Sequence, residues 1–482
     1  MRTLPLPLLI PAVLLGACTV GPNYAGPPKT LADATGTTGF KRAGPATTTA
    51  TPAVADWWTQ LNDPTLTALE QQALAGNPTI AVAEARLRQA RAGLRLQRAN
   101  QAPSANASAV YAHARIPGID LTGKGDTGAS AVDLYNLGFD ASWEVDLFGG
   151  QRRQVEAARA QAQAAEANVA DAQVSLTADV ANAYVALRDR QQRIALSRRS
   201  AEMQQRMLDL TRQRFDQGAA SALDVERLTG QLEATNGQIV PLQAELEGYL
   251  NALAVLTGQE PGALDAQLTA PAPVPLPPAS VAVGDPAALL QRRPDIRAAE
   301  RQLAQRTAQV GIADAARFPR LNILGLIGLG GTRLSDISPD KLLGIAAPML
   351  QWNFLDFGRG RARVDQAKGQ RDEAEAQYRG AVLGALRDAE DSLSRFGRRR
   401  ETVASLMRSK ASADRAAGLM QQRFRAGTAT LIDTLDAERQ RVAAEQNLSA
   451  GVAALTGDYV SLQKALGLGW APVPPVENRP AR

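Results

Sequence analysis

The chain has 482 residues, of which only 4% are aromatic and 21% are charged. Alanine, glutamine, arginine, leucine and glutamate dominate, a mixture that favours long helices over a compact mixed core. The formal net charge of +5 comes from arginines interleaved with acids, as expected of a solvated helix surface rather than a nucleic-acid-binding patch. One cysteine and one histidine exclude a Cys/His zinc site and an internal disulfide. No segment reaches the ~18 consecutive apolar residues of a transmembrane helix, so strands would have to make any membrane crossing beyond the N-terminus.

The N-terminus has the pattern of a secretion signal. Met1-Arg2 is followed by an apolar stretch at 4–15, and small residues then lead directly to Cys18. Small residues that stop at a cysteine resemble the bacterial lipobox, in which that cysteine is lipidated and becomes the first mature residue. An ordinary signal with a chance cysteine is the alternative, but Cys18 is the only cysteine and has the required position. An aspartate after the cysteine would resemble an inner-membrane retention signal, so Thr19 favours the outer membrane. Residues 21–55 are rich in Thr, Ala, Gly and Pro and predict an extended strap.

The chain contains one unit twice. Trp143 precedes an Asp-Leu-Phe-Gly motif at 146–149, and 209 residues later Trp352 precedes Leu-Asp-Phe-Gly at 355–358. A proline-rich seam separates the two copies. We therefore predict six segments: a signal peptide at 1–17, a lipidated strap at 18–56, a first repeat at 57–260, a linker at 261–284, a second repeat at 285–468 and a tail at 469–482.

Each copy has the same predicted order of elements. A helix of moderate length, at about 79–101 and 295–317, precedes two strands, a very long helix, a turn and a return helix. No glycine or proline lies between Gln151 and Gln217, which predicts about 100 Å of unbroken helix. Apolar residues spaced by three, four and seven along it predict coiled-coil packing. A long solvated structural helix would explain the length, but not the strand pairs that flank it in both copies.

The predicted strands have one apolar and one polar face. Leu137, Phe139 and Trp143 alternate with polar residues and glycine, as in a barrel strand between lipid and water. The second copy places its strands at about 321–329 and 343–354, where glycines and a proline weaken the alternation. Four strands cannot close a barrel, because bacterial outer-membrane barrels begin at about eight. Either several chains share one barrel, or these are not membrane strands.

Taken together, the motifs resemble the TolC-type outer membrane factors, specifically the NodT-like lipoprotein branch that serves resistance-nodulation-division efflux systems. The resemblance runs from Cys18 to about Leu468. The motifs that carry it are Cys-Thr-Val-Gly-Pro-Asn-Tyr at 18–24, Trp57-Trp58, Asp63-Pro64, Asn77-Pro78, Asp-Leu-Phe-Gly at 146–149, Arg-Arg-Pro-Asp-Ile at 292–296 and Phe318-Pro319.

The resemblance implies a mixed α and β fold. Three chains with four strands each would close a twelve-stranded outer-membrane β-barrel, continued by a long periplasmic α-helical barrel with coiled-coil tips and an internal two-fold repeat. The protein would be lipid-anchored in the outer membrane of a Gram-negative bacterium and extend into the periplasm. It would be no enzyme and need no cofactor or metal, because an inner-membrane resistance-nodulation-division pump, reached through a periplasmic adaptor protein, supplies the energy. Its cargo would be small molecules: drugs, toxic compounds or metal ions.

Two alternatives remain open at the level of sequence. A duct for type I protein secretion uses the same architecture, and a lipid-anchored periplasmic coiled-coil scaffold without a pore would share the long helices. The sequence contains no Walker motif and no Gly-x-Ser-x-Gly motif that would favour an ATPase or a serine hydrolase.

The resemblance places adaptor contacts and a periplasmic gate at the turns that follow the long helices. The adaptor-contact positions are Arg214, Phe215, Gly218, Ser221, Arg423, Phe424, Gly427 and Thr430. The gate positions are Ile432 and Asp436, one helical turn apart on one face, with Asp433 and Asp224 as further acids. The glycines are predicted to end the long helices with positive φ and the hydroxyl residues to cap the return helices. The acids could instead favour the positive end of the helix dipole.

Overall fold

The computed structural model describes residues 19–28, 39–116 and 130–472. The predicted lipid site Cys18 and the predicted signal peptide therefore lie outside the described residues. No helix in the described ranges is both long enough and apolar enough to cross a lipid bilayer.

The chain divides into two compact units, each assembled from separate stretches of sequence. The first unit contains the N-terminal segment up to residue 28, residues 88–164 and residues 299–377. The second contains residues 29–87, 165–298 and 378–482. Each unit therefore takes material from both of the predicted repeats.

Within the described residues, six strands form two sheets. The strands are β1 (Thr47–Thr48), β2 (Ser104–Ile116), β3 (Ser130–Val145), β4 (Val281–Ala282), β5 (Arg320–Gly331) and β6 (Leu342–Gln351). β1 and β4 pair in parallel in the second unit, and the first unit holds a four-stranded antiparallel sheet in the order β2-β3-β5-β6. β6 ends at Gln351, earlier than predicted, because its partner β5 begins at Arg320, which pairs with Gln351. Residues beyond Gln351 therefore have no residue of β5 to pair with.

In both copies, a tryptophan at the end of the second strand of the pair donates a hydrogen bond to the chain just before the first strand. The Trp143 Nε1–H donates to the carbonyl of Gln101 at 3.0 Å, and the Trp352 Nε1–H donates to the carbonyl of Arg317 at 3.1 Å. The indole satisfies its polar group while the ring stays at the sheet surface. This shared contact fixes the same strand end in each pair.

Four helices dominate the chain. They are the first long helix (Gly150–Asp216), the first return helix (Ala222–Leu256), the second long helix (Arg359–Arg425) and the second return helix (Leu431–Ala465). Each long helix has 67 residues, which corresponds to about 100 Å at 1.5 Å per residue. Shorter helices are Pro64–Gly76, Pro78–Ala99, Asp265–Leu268, Pro286–Arg292 and Pro294–Ala315.

Buried aromatic residues contribute to the core of the second unit. Trp57 and Trp58 are buried, and Tyr459 packs against Trp57 with ring centroids 5.9 Å apart. The Tyr184 hydroxyl donates to Asp63 at 2.6 Å, and Asp63 also caps the helix Pro64–Gly76. Burial and this hydrogen bond raise the pKa of Tyr184 to about 12, so the hydroxyl remains a donor at neutral pH.

A buried arginine in the first unit holds the segment that follows Cys18. Arg153, in the first turn of the first long helix, donates to the carbonyls of Val20 and Gly21 at 3.2 Å and to the Asn23 side chain at 2.7 Å. Its side chain is 2% exposed, and Glu156 pairs with its charge at 2.7 Å. Because an arginine buried without partners would be costly, these contacts also fix the start of the strap.

Candidate functional site

The turn after each long helix is closed in the same way. Gly218 and Gly427 have φ of +74° and +71°, which L side chains rarely adopt. The Gly218 N–H donates to the Phe215 carbonyl at 2.8 Å, and the Gly427 N–H donates to the Phe424 carbonyl at 3.0 Å. The predicted left-handed glycines at the two helix ends are confirmed.

Both return helices begin with a capping box. The Ser221 hydroxyl accepts from the Asp224 N–H at 3.2 Å, and the Asp224 carboxylate accepts from the Ser221 N–H at 3.3 Å and its hydroxyl at 2.7 Å. Thr430 and Asp433 repeat this geometry, with the corresponding distances 3.2, 3.0 and 2.6 Å. The predicted N-caps are thus confirmed.

The same hydrogen bonds set the charge state of the two capping acids. The Ser221 hydroxyl, and then its backbone N–H, lower the pKa of Asp224 below its usual range. The Thr430 hydroxyl and N–H lower the pKa of Asp433 in the same way. Donors to a carboxylate favour its ionised form, so both acids are charged at neutral pH. Their carboxylates are therefore engaged within their own turns.

Ile432 and Asp436 lie one helical turn apart at the start of the second return helix and are exposed. The Ile432 side chain is 44% exposed, although it is apolar. The Asp436 carboxylate pairs with Arg439 at 3.2 Å, and both of these side chains are more than half exposed. Neither residue belongs to the cap, so their side chains are available for contacts outside the turn.

The structure brings part of the predicted set into one groove between the two tips. The groove encloses about 360 Å³ and is lined by residues of both hairpins. Of the predicted residues, those lining it are Arg214, Asp224, Thr430, Ile432 and Asp436. The other predicted residues do not line it: Phe215, Gly218, Ser221, Arg423, Phe424, Gly427 and Asp433. Apolar side chains and charges of both signs therefore meet at one place.

A hydrophobic cluster that forms part of the groove wall was not predicted as a unit. Leu208, Leu228 and Leu232 are buried together, and Leu431 and Leu435 of the second return helix pack against them. The cluster joins the two hairpins, so each tip is positioned by the other. The spacing of Leu228 and Leu232 by four residues, as on one helix face, is the signal that could have indicated it.

The predicted adaptor-contact positions at the turns themselves are mostly open to solvent. Arg214, Phe215 and Gly218 are exposed, as are Arg423 and Gly427, whereas Phe424 is half-buried. An exposed phenylalanine beside arginines is a combination enriched at protein interfaces. Among the described side chains, no group of three or more histidines, cysteines and carboxylates is arranged to hold a metal ion.

Comparison with known proteins identifies the family. A family model described as outer membrane efflux protein matches residues 69–259 and 286–468. Nodulation protein T of Rhizobium leguminosarum bv. trifolii is 31% identical over 96% of this chain and 97% of its own length. The pyoverdine export outer membrane protein OpmQ of Pseudomonas aeruginosa is 32% identical over 86% of this chain and 88% of its own.

A solved structure agrees with these relatives. The outer-membrane channel OprN superimposes with a TM-score of 0.86 at 36% identity, covering 94% of this chain and 100% of that one. Similarity therefore extends over nearly the whole chain in both sequence and fold. This chain belongs to the outer membrane efflux protein family.

Proposed function

We propose that this protein is the lipid-anchored outer-membrane exit duct of a tripartite efflux pump and works as a homotrimer. The observation that carries the proposal is the four-stranded sheet with open edges. β2 and β6 have a strand partner on one side only, and exposed apolar residues such as Leu137 and Phe139 lie on the sheet. In lipid, unpaired edges cost several kcal/mol per polar group, so edge strands from neighbouring chains must complete the sheet.

Three copies of this sheet would give twelve strands, a number within the range of outer-membrane barrels. The predicted lipid on Cys18 would add a second attachment to the outer membrane. The solvent-exposed tips would meet the periplasmic adaptor, and the inner-membrane pump of the resistance-nodulation-division class would supply the energy. The division into signal, strap, two repeats, linker and tail belongs to the same proposal.

Small molecules are the proposed cargo. Besides OpmQ, relatives are named for antibiotic and toluene efflux pumps. This supports efflux over type I protein secretion. A scaffold without a pore would leave the apolar sheet face without a function.

Ile432 and Asp436 are the proposed gate. From three chains they would form one apolar and one acidic constriction, because both side chains are exposed on one face of the same helix. Asp224 and Asp433 are further candidates, but their carboxylates already accept hydrogen bonds from Ser221 and Thr430. We therefore assign them mainly to helix capping and leave the constriction to the other pair.

Native mass spectrometry of the detergent-purified protein tests the assembly. A trimer is expected, and a stable monomer that retains its fold would contradict the shared barrel. Lipidation is tested separately, in the cells that express the protein. Metabolic labelling with a palmitate analogue should mark the wild type and not Cys18→Ser. Equal labelling of the two proteins would contradict lipidation at Cys18 while leaving the channel proposal intact.

Efflux itself is tested in a strain that lacks its own outer-membrane duct. Supplied together with its adaptor and pump, the wild type should restore resistance to small toxic compounds. Restored secretion of a protein substrate without restored resistance would favour the secretion alternative. A purified trimer that conducts no ions in planar bilayers, even after the tips are opened by substitution, would favour the scaffold.

A further inference from the structure

The register of the four-stranded sheet assigns every strand residue to one of two faces. Residues paired directly across an antiparallel ladder point to the same side, and successive residues alternate. Phe139 pairs with Ile327, which pairs in turn with Gly344 of β6. The neighbouring row, one residue away, joins Asn106, Asp140, Leu326 and Ile345, so these four side chains lie on the opposite face.

The face that carries Phe139 is apolar over most of the sheet, with His113 and Asp133 paired toward one end of it. Leu137, Phe139, Ile327 and Leu342 belong to it and are all at least about half exposed. An exposed apolar surface on this scale is what a lipid-facing band requires. The opposite face, which carries Asp140, is therefore the face toward the lumen.

The lumen face is not uniform. Beside Leu324 and Leu326, β2 and β3 are polar on this face, with Ser104 paired to Ser142 and Asn106 paired to Asp140. Hydrogen bonds join both pairs: the two hydroxyls lie 2.9 Å apart, and the Asn106 amide donates to Asp140 at 3.1 Å. These contacts are typical of a surface in contact with water. Further along the same two strands the face is apolar at Val110 and Leu134.

On β5 and β6 the same face is apolar. The exposed fractions are 40% for Leu324, 53% for Leu343, 51% for Ile345 and 52% for Met349, and Leu326 lies among them. A lumen that only had to hold water would not need these side chains, since each exposed apolar group costs free energy in water. The weak alternation of the second copy thus results from strands that are apolar on both faces.

We infer that β5 and β6 form an apolar lane on the lumen wall that binds apolar organic cations as they pass. The inference rests on the proposed channel, whose three chains would alternate three such lanes with three polar patches. The lane lies beside a carboxylate: Asp140 is directly paired with Leu326. An apolar cation can therefore contact leucine, isoleucine and methionine side chains while its charge stays next to Asp140.

The distribution of charge on the lumen face determines which sign of charge a ligand in the lane should carry. Its charged residues among the described side chains are Asp140, Glu144 and Arg320. Arg320 lies six residues from Leu326 along β5, about 20 Å away at 3.4 Å per residue. Asp140 and Glu144 lie in the rows of Leu326 and Met349 themselves, whereas Arg320 lies one row, about 7 Å, beyond Met349. An apolar anion would therefore be disfavoured beside the acids.

Cysteine protection in lipid nanodiscs tests the lane. Leu326→Cys, Asn106→Cys and Ile327→Cys each add one cysteine to the native chain, whose own Cys18 is read as a separate site. The first two share one row of the lumen face, and the third lies on the lipid-facing side. Labelling of the trimer with a membrane-impermeant charged thiol reagent is read site by site by mass spectrometry, with and without tetraphenylphosphonium. Tetramethylammonium at the same concentration controls for charge alone.

Leu326→Cys and Asn106→Cys should both react, and Ile327→Cys should not. Tetraphenylphosphonium should slow labelling of Leu326→Cys about fivefold at a concentration about four times its dissociation constant. Labelling of Asn106→Cys should change little, and tetramethylammonium should protect neither site. Adding Asp140→Asn to Leu326→Cys should weaken the protection. Ile345→Cys, in the same row, repeats the test on the next strand in case Leu326→Cys fails to assemble.

The outcomes separate the inference from the function on which it rests. If Leu326→Cys and Ile345→Cys react but are not protected, the lane is wrong and the channel stands. If they are unreactive while Asn106→Cys reacts, another part of the assembly covers these strands, and the lane is again wrong. If Ile327→Cys reacts and Asn106→Cys does not, the faces are reversed and the proposed channel itself fails.

Discussion

The two tips share their backbone chemistry and differ in the side chains that follow it. At a shift of 209 residues, Gly218 corresponds to Gly427 and the Ser221–Asp224 capping box corresponds to Thr430–Asp433. The residues at the two proposed gate positions differ between the tips. Where the second tip has Ile432 and Asp436, the first has Leu223 and Arg227.

This difference separates the residues that fold the turn, which both tips share, from the exposed residues one helical turn later, which differ. The turn needs a left-handed glycine and a cap in both copies, so both copies retain them. The charge one turn later is free to change, and it changes sign: Arg227 and Asp436 line the same groove. Opposite charges at equivalent positions let two hairpins adjoin with less repulsion than two acids would produce.

The largest expected effect on tip stability comes from the cluster that joins the tips. Leu228 is 3% exposed, so Leu228→Ala should leave a cavity and destabilise the tips by about 2–4 kcal/mol. Amide hydrogen exchange should accelerate in both tips, because Leu431 and Leu435 pack on the same cluster. Leu223→Ala is the matched control, since Leu223 is 58% exposed and its loss should change little. Acceleration confined to the first tip would contradict the joint packing.

Replacing either turn glycine should destabilise its tip less than Leu228→Ala does, and by the same amount at both turns. Nothing lies within 4 Å of a Cβ built on Gly218 or Gly427, so an alanine meets no clash and is strained only by its positive φ. Gly218→Ala and Gly427→Ala should each cost about 1 kcal/mol and speed exchange at their own turn about fivefold. A clearly larger effect at one turn would show that the two turns are not equivalent.

The smallest expected effect on tip stability comes from the two capping boxes, and it should appear only in a defined pH range. The folded-state pKa values of Asp224 and Asp433 are lowered, so their stabilisation is present above the ordinary carboxyl pKa of about 4 and is lost as pH falls through the folded value. Hydrogen exchange at the two turns, corrected for its intrinsic pH dependence, should be constant from about pH 7 to 5 and rise only below about pH 4. Asp433→Asn should remove most of this dependence at the second turn alone. Loss of protection already near pH 6 would contradict the capping account.

The sequence predicted the elements well because their determinants are local. A stretch free of glycine and proline predicted the first long helix to within one residue at each end, and the caps followed from Ser221 and Thr430. The proline rule alone would have broken the first return helix at Pro241, yet the helix continues through it.

Long-range contacts were beyond that reasoning. Arg153 gave no sign that it would be buried against Val20 and Gly21, residues about 130 positions away. Likewise, weak alternation in β5 and β6 could not be assigned to a face until the register with β3 was known. A period of two shows that a strand has two faces, but only its pairing shows which face is which.

The most direct test of the central claim, a passive trimeric duct closed at the second tip, is single-channel conductance in planar bilayers. The wild-type trimer should conduct poorly, and Ile432→Ala combined with Asp436→Ala should raise conductance several-fold and make cells more permeable to large antibiotics such as vancomycin. Leu223→Ala combined with Arg227→Ala, the equivalent change at the first tip, should raise it less. If the second-tip variant forms trimers and conducts as the wild type does, or if the first-tip variant opens the channel more, the constriction is not formed by Ile432 and Asp436.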